Sequence, residues 1–200
     1  MREVALSPES LLDIFRQTGA YLKGHFRLTS GLHSPEYLQC ALVLQHPNHA
    51  ETCGRELAAA IKALTGTSSV DVVVSPAMGG LMIGHEVARA FGVRHIFTER
   101  DTDRKMTLRR GFSLQPGERA VVIEDVITTG GSTLEVVELL KAAGAEVVAA
   151  GSVIDRSGGK ADVSVPRAAL VTLNVTAYNP AECPLCEQGL PVVKPGSRPS

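Results

Sequence analysis

Two adjacent carboxylates and a hydroxyl-rich, glycine-containing loop stand together in the middle of the chain. Glu124 and Asp125 precede the segment 128–133, which is Thr-Thr-Gly-Gly-Ser-Thr. Glycines permit positive φ and close approach of the backbone, so that free N–H groups of such a loop can surround a phosphate. The acids would repel that phosphate and are suited instead to accept hydrogen bonds from a vicinal diol, or to meet a metal ion carried by a substrate. This combination predicts a ribose 5-phosphate site.

The flanking residues predict the elements that position these groups. The apolar, β-branched run 121–123 predicts a buried strand with the acids at its end, and the amphipathic pattern from Leu134 to Gly144 predicts a helix. Val147 to Ile154 predicts a second, parallel strand. A simpler interpretation is a strand, turn and helix with solvated acids and Ser/Thr caps. The density of acids and hydroxyls on one turn favours the phosphate site.

The segment 121–133 resembles the PRPP (5-phosphoribosyl 1-pyrophosphate) signature of type I phosphoribosyltransferases, in which two hydrophobic residues are followed by two acids. It matches neither the NTPase phosphate loop, because no Gly-Lys-Ser/Thr follows, nor the dinucleotide Gly-x-Gly-x-x-Gly pattern. The resemblance implies a PRPP site made by Glu124, Asp125, Val126, Ile127, Thr128, Thr129, Gly130, Gly131, Ser132 and Thr133. It also implies a catalytic role for Asp125 and a contact of Thr128 with the base.

A polar, glycine-bounded segment, 24–35, leads into a strand-like stretch from Tyr37 to Leu44. Taken alone it predicts a surface β-hairpin. It is similar, however, to the N-terminal hood of orotate phosphoribosyltransferases, on the residues Phe26, Leu28, Ser30, Gly31, Ser34 and Pro35. The resemblance implies that Phe26 and Arg27 bind orotate. Thr29 stands where many members of the family have a lysine, and either Arg27 or His33 is available to supply that charge.

A second buried strand, 70–74, is followed by a turn that contains Gly79 and Gly80 and by a helix to about Phe91. A tight strand-to-helix turn is the plain interpretation of the two glycines. In the resembled family this turn faces the pyrophosphate. Many relatives carry a lysine where Gly79 stands, so only backbone N–H groups remain here to contact that group.

The segment 99–111 carries five basic and three acidic side chains between Glu99 and Arg110 and has no apolar period. Such a sequence predicts a mobile loop, and solvated charge is its default role. Next to a phosphate site, a cationic lid would exclude water and balance the charge of a leaving group. It resembles the catalytic loop of the family, which reaches into the neighbouring subunit's site. The resemblance makes Arg100 and Lys105 the best catalytic candidates, with Arg104, Arg109 and Arg110 in reserve.

Asp155 and Arg156 stand where the strand after the central helix ends. Ligands of doubly wound sheets bind at the carboxyl ends of the strands, and the planar fork of arginine suits a carboxylate or a ring oxygen. An ordinary ion pair between these two residues is the alternative. The family places a base-contacting arginine at this strand end, which implies that Arg156 binds orotate.

Composition limits the other possibilities. A chain of 200 residues with 44% hydrophobic residues suits one α/β domain, and its net charge of −1 gives no reason to expect nucleic acid or an anionic membrane as a partner. Four cysteines in a chain of this length fit reduced thiols and a cytoplasmic location. Cys183 and Cys186 form half of a zinc motif that only Cys40, Cys53 or the histidines could complete through folding; a structural turn is favoured, and no metal ligands are assigned.

These patterns predict a single α/β domain over residues 1–200, of the type I phosphoribosyltransferase kind, with a central parallel sheet flanked by helices and a small hood at about 20–45. The resemblance implies transfer of the phosphoribosyl group from PRPP to orotate, giving orotidine 5′-phosphate and pyrophosphate in pyrimidine synthesis. It further implies Mg²⁺, held mainly by the substrate, and a homodimer in which the lid acts in trans. Two alternatives stay open, namely transfer to another nucleobase and a non-catalytic nucleotide sensor.

Overall fold

In the computed structural model, which describes residues 6–28, 30–66 and 69–195, six strands form a mostly parallel sheet with helices on both faces. The strand order is β5-β4-β3-β6-β7-β8, and only the edge strand β5 is antiparallel to its neighbour. A separate two-stranded antiparallel sheet, β1-β2, forms the hood. The predicted fold class is confirmed.

The strands are β1 Tyr21–Arg27, β2 His33–Leu38, β3 Val72–Pro76, β4 Arg94–Arg100, β5 Met106–Leu108, β6 Arg119–Ile127, β7 Glu146–Asp155 and β8 Arg167–Thr172. The helices are α1 Pro8–Gln17, α2 Cys40–Leu44, α3 Pro47–Thr65, α4 Gly80–Phe91, α5 Gly131–Ala142 and α6 Pro184–Glu187, with a 3-10 turn at Pro180–Glu182. No helix in the described ranges has the length and apolar character required to cross a bilayer.

The sheet is buried between two layers of side chains. On one face, Leu57 and Ile61 of α3 and Ile83 of α4 pack against β6 and β7, and on the other face Val137 and Leu140 of α5 do so. Because both faces are covered, β3 is buried along its whole length and is continuously apolar up to Val74. This is why the strands were detectable as apolar runs.

Three predicted boundaries are wrong. The strand expected from Tyr37 to Leu44 ends at Leu38, and α2 follows it, because Cys40, Val43 and Leu44 are buried with the i, i+3, i+4 spacing of a helix. The central strand β6 does not stop before the acids but continues through them, since Glu124 to Ile127 still pair with β7. Helix α5 begins at Gly131, three residues before the start of its apolar pattern.

The charged segment 99–111 was predicted to be a mobile loop that does not pack against the core; its mobility stays a prediction, but the segment is partly regular and does pack against the core. It contains the end of β4, a turn and β5, so that Glu99 pairs with Thr107 and Arg100 with Met106. The turn is closed by Asp101, which accepts the backbone N–H of Lys105 on Oδ1 at 2.9 Å. Met106 is buried in the core, and Leu108 packs against the core beside it, so that these two apolar residues anchor the charged hairpin.

A half-buried histidine in β4 makes stability depend on pH. The Nε2 atom of His95 lies 2.8 Å from Oγ of Ser75, and burial lowers the pKa of His95 to about 4, with a smaller contribution from His85. The unfolded state, where a histidine has a pKa of about 6.5, therefore binds more protons between these two values. Folding is stabilised by this group above about pH 6.5, and that stability is lost as the pH falls towards 4.

We therefore expect the free energy of unfolding to fall between about pH 6.5 and about pH 4, and the variant His95→Gln to show a shallower decline. Urea unfolding followed by circular dichroism across this range measures it. His46→Gln, which changes an exposed histidine at the start of α3, is the matched control. An identical pH slope in wild type and His95→Gln would contradict the assignment.

Candidate active site

A crevice for ligands is expected where the sheet reverses its winding direction. Strands β3 and β6 are neighbours, but the chain runs from β3 to β4 on one side and from β6 to β7 on the other. In open α/β sheets, ligands bind outside the carboxyl ends of the strands at such a point. The turn that follows β3 lies there. The acids near the end of β6 and the loop that follows β6 lie there too. The fold therefore brings together the turn at Gly79 and Gly80 and the segment 124–133, the two segments that were predicted from the sequence to face a ligand.

The acid pair sits at this point in an environment that disfavours charge. Asp125 accepts the N–H of Val126 on Oδ1 at 2.8 Å, and its own N–H donates to Oε1 of Glu124 at 3.3 Å. Burial raises the pKa of Glu124 well above its ordinary value, with a further contribution from Asp125, and burial also raises the pKa of Asp125. Within the described ranges no salt bridge compensates either carboxylate. The pair is therefore suited to hydroxyl donors or to a cation brought by a ligand.

The turn after β3 packs directly against the acids. A Cβ atom added at Gly79 would lie 2.6 Å from Oδ1 of Asp125, and one at Gly80 would lie 2.8 Å from the carbonyl oxygen of Ile123. Gly80 is therefore required by close packing against backbone, whereas a side chain at Gly79 would require the Asp125 carboxylate to move. The peptide bond between Ala77 and Met78 in the same turn is cis. Gly79 offers only its backbone here, as the sequence indicated, and it lies beside the acid pair.

The loop after β6 has the geometry of an anion site. Gly130 has a φ of +84°, and a Cβ there would lie 3.0 Å from the side chain of Val163, so only glycine fits. The N-cap residue Gly130 offers no capping side chain, and the N–H of Gly131 makes only a long contact, 3.5 Å, with Oγ1 of Thr129. The following N–H groups are available at the positive end of the helix dipole. Thr128 and Thr129 are exposed. These groups can bind a phosphate.

Not every residue of the signature can use its side chain. Ile127 and Thr133 are each 1% exposed, and Val126 is half-buried beside the core. Ile127 also accepts the N–H of Arg156 on its carbonyl oxygen at 2.8 Å. Any contact of Ile127 or Thr133 with a ligand must therefore come from the backbone, whereas Ser132 is half-exposed and keeps an accessible hydroxyl.

Arg156 is a half-buried cation with unused hydrogen-bonding capacity. Its Nε atom is buried and has no partner among the described residues, and burial lowers its pKa. Its guanidinium carbon lies 5.9 Å from the ring centre of Tyr37. The alternative ion pair with Asp155 is wrong, because Asp155 accepts instead from Arg167, at 2.5 Å, and from the hydroxyl of Ser157. Consecutive residues at a strand end point to opposite faces of the sheet, which explains why the side chains of Asp155 and Arg156 do not pair.

The two hood residues that were predicted to bind orotate, Phe26 and Arg27, differ in burial and in partners. Phe26 is 7% exposed and packs against Tyr37, with ring centres 6.0 Å apart, so it supports Tyr37. Arg27 is half-buried and donates its N–H to the carbonyl oxygen of Val193. His33 is buried beside His25, so that Arg27 is the more exposed of the two residues predicted to supply the missing charge, while Thr29 lies outside the described residues.

Two residues near the acids escaped the sequence analysis. Tyr37 contacts both Phe26, with the rings tilted by 47°, and the guanidinium of Arg156, and Cys40 lies with its Sγ 3.7 Å from the carbonyl oxygen of Asp125. The only available signal for either was membership in an apolar run. That pattern does not reveal that β2 and α2 lie next to the carboxyl ends of β6 and β7.

The cations of the hairpin lie against α5. Arg100 forms a salt bridge with Glu135 at 2.9 Å and donates to the carbonyl oxygen of Arg104. Arg100, Arg104 and Lys105 line a groove of about 510 Å³ together with acids of α5. Lys105 is exposed at the tip, and its side chain forms no salt bridge with any residue described. Arg110 pairs with Glu99 at 2.7 Å.

Comparison with known proteins agrees with this geometry. A family model described as the phosphoribosyl transferase domain matches residues 43–180. The orotate phosphoribosyltransferase of Desulforamulus reducens is 55% identical over 193 residues, covering 96% of this chain and 98% of its own. That of Pelotomaculum thermopropionicum is 53% identical, with 96% and 99% covered.

Among solved structures, the orotate phosphoribosyltransferase from Aeropyrum pernix superposes with a TM-score of 0.67 at 24% identity, covering 82% of this chain and 93% of that one, which supports the fold. The fold and the match to the family model define a phosphoribosyltransferase of type I. The chain belongs to the orotate phosphoribosyltransferase family. The resemblance to this family that was inferred from the sequence is confirmed.

Proposed function

We propose that the chain transfers the 5-phosphoribosyl group of PRPP to orotate, giving orotidine 5′-phosphate and pyrophosphate. The observation that carries the choice of base is Arg156, a half-buried residue just after β7 whose Nε is buried and unpartnered among the described residues and whose guanidinium carbon lies 5.9 Å from the ring centre of Tyr37. A carboxylate-bearing pyrimidine satisfies such a group with charge-assisted hydrogen bonds. A neutral purine would leave the charge of Arg156 uncompensated. The names of the relatives support the same substrate.

The roles of the residues follow from where charge develops. Departure of pyrophosphate from C1 of the ribose builds oxocarbenium character on the sugar and negative charge on the leaving group. The loop from Thr129 to Thr133 and the N–H groups of α5 hold the 5′-phosphate. Glu124 and Asp125 accept hydrogen bonds from the ribose hydroxyls and stabilise the cationic sugar. The backbone at Gly79 faces the pyrophosphate, and Thr128 and Arg156 orient orotate.

Mg²⁺ fits the acid pair, because both carboxylates offer hard oxygen ligands and lack a cationic partner among the described residues. When bound, the ion would neutralise charge on the pyrophosphate oxygens. Glu124 and Asp125 would hold it through water or through the substrate's hydroxyls, so that the protein itself mainly positions PRPP.

The hairpin tip is the proposed source of further positive charge. Lys105 is exposed, and Arg100 is held by Glu135 on α5. We propose that the tip acts on the site of a second copy in a homodimer, as the family resemblance implies. We also propose that the whole chain works as one domain in the cytoplasm, with reduced cysteines.

The experiment that tests the base assignment is the variant Arg156→Gln. Removing a hydrogen-bonded charge should raise the KM for orotate about 10- to 100-fold, equivalent to about 1.5–3 kcal/mol, and leave the KM for PRPP nearly unchanged. Steady-state kinetics with each substrate varied measure this. Arg119→Gln, which alters an arginine paired with Asp71 before β3, is the control. An unchanged orotate KM in Arg156→Gln would contradict the role.

A further inference from the structure

The hood and the C-terminal segment meet in a compact group of four potential metal ligands that has no part in the reaction described above. His25 of β1 and His33 of β2 come from the hood, and the Cys-x-x-Cys segment supplies Cys183 and Cys186. The four ligand atoms all lie within 4.8 Å of one another. From the sequence a structural turn was favoured for the cysteines, because no second pair of ligands lies near them; the two histidines are about 150 residues away along the chain.

The distances suit a tetrahedral ion. Nε2 of His25 lies 3.6 Å from Sγ of Cys183 and 3.7 Å from Sγ of Cys186, and Nδ1 of His33 lies 3.3 Å from Sγ of Cys186. Bond lengths of about 2.0–2.1 Å to nitrogen and about 2.3 Å to sulfur give a tetrahedral N···S edge of about 3.6 Å. The two nitrogens are 2.8 Å apart, so the rings must separate by about half an ångström to reach a tetrahedral N···N edge.

The surroundings orient one of the ligands. Nδ1 of His25 lies 2.8 Å from the carbonyl oxygen of Leu190. A carbonyl only accepts, so Nδ1 carries the proton and Nε2 presents its lone pair to the cluster. A metal-bound histidine commonly donates its other N–H to a carbonyl or carboxylate in this way. His25, His33 and Cys183 are buried, so the ligand atoms are largely shielded from water.

We propose that these four residues form a structural zinc site that fastens the C-terminal segment to the hood. Two neutral imidazoles and two thiolates give a closed Cys₂His₂ set with no open position, and the two thiolate charges balance Zn²⁺. Binding releases the two thiol protons and involves no change of oxidation state. Thiolate ligands disfavour Mg²⁺, which prefers oxygen, so this metal is distinct from the substrate's.

The site reinforces a contact that the backbone already makes. His33 exchanges two hydrogen bonds with Tyr178, and Val193 donates to the carbonyl oxygen of His25 and accepts from Arg27. A two-stranded hairpin is marginally stable alone, so a metal that ties it to a second segment would stabilise it strongly. Phe26, next to His25, supports Tyr37 near Arg156. The ion would therefore hold the hood in its base-binding position from outside the active site.

The test is metal analysis of the untagged protein. We expect one zinc per chain by plasma mass spectrometry, and Co²⁺ exchanged into the metal-free protein should show tetrahedral d–d bands together with thiolate-to-cobalt charge transfer. Cys186→Ser, at the most exposed ligand, should lose the metal and the charge-transfer band and should lower Tm by about 5 °C or more. Cys53→Ala, at a cysteine of α3 outside the cluster, should keep both the metal and the spectrum.

Should Cys186→Ser fail to fold, removing zinc from the wild type with a chelator and restoring it should lower and then recover Tm. Three results would overturn the proposal. They are wild-type protein without zinc that takes up no Co²⁺, full retention of the metal by Cys186→Ser, and an intact mass that shows a disulfide between Cys183 and Cys186 in protein prepared under reducing conditions.

Discussion

Asp125→Asn is expected to lower kcat/KM for PRPP by about 100-fold, close to 2.7 kcal/mol of transition-state stabilisation. The amide keeps one acceptor oxygen but loses the negative charge that opposes oxocarbenium character at C1, and it places an NH₂ group where a ribose hydroxyl must donate. Because the turn at Gly79 packs against this carboxylate, the shape of the site should be preserved by the isosteric substitution. Initial rates with PRPP varied at saturating orotate measure the effect.

Asp71→Asn is the matched control, since Asp71 accepts a backbone N–H from Arg119 at the start of β6, at the opposite end of that strand from the acids. It should retain wild-type kinetics. The raised pKa values of the acid pair give a second check, because PRPP must meet the ionised carboxylates. In the wild type, affinity for PRPP should rise as the pH rises through that raised range, and Asp125→Asn should weaken this dependence. Unchanged kinetics in Asp125→Asn would rule out the diol role.

Lys105→Ala is expected to lower kcat by about 100- to 1,000-fold while leaving the affinity for PRPP within a few fold, because the charge that Lys105 would balance appears only as pyrophosphate departs. Lys105 is exposed at the hairpin tip, so its truncation should cost little stability. Single-turnover kinetics together with a PRPP binding isotherm separate the two quantities.

Lys62→Ala on α3, where the ammonium lies 4.9 Å from the ring centre of Phe91, is the control for loss of a lysine charge away from the site. Mixing the Lys105→Ala and Asp125→Asn proteins tests whether the hairpin tip acts in the active site of the neighbouring subunit. If the tip serves the neighbouring subunit, hybrid dimers regain activity in the one site that has both residues intact. No recovery on mixing would contradict action in trans, and full turnover by Lys105→Ala alone would remove the residue from the mechanism.

The sequence was informative where a function requires particular residue types at adjacent positions. The acids and loop of 124–133 were recognisable because a diol and a phosphate need carboxylates and glycine-supported N–H groups on one strand-to-helix turn. The buried strands were detectable because the covered sheet makes them continuously apolar. The position of the site at the carboxyl ends of β3 and β6 then followed from topology.

The sequence was uninformative where contacts between distant segments of the chain determine the local structure. The hairpin at 99–111 depends on two apolar residues that pack in or against the core, and α2 occupies a short apolar run whose period fits either element. Tyr37 gains its place near Arg156 only through packing of the hood. The cluster of His25, His33 and the two cysteines joins segments that are distant along the chain. No local pattern records such a juxtaposition.

The most direct test of the central claim is product formation by the purified protein with PRPP and Mg²⁺, in separate reactions with orotate, uracil, hypoxanthine and adenine. The loss of orotate absorbance is followed in the ultraviolet, and each product is identified by chromatography. The account predicts orotidine 5′-phosphate and pyrophosphate in equal amounts from orotate, and no nucleotide from the three bases without a carboxylate. Turnover of a purine in preference to orotate, or no turnover of orotate by protein that binds PRPP, would contradict it.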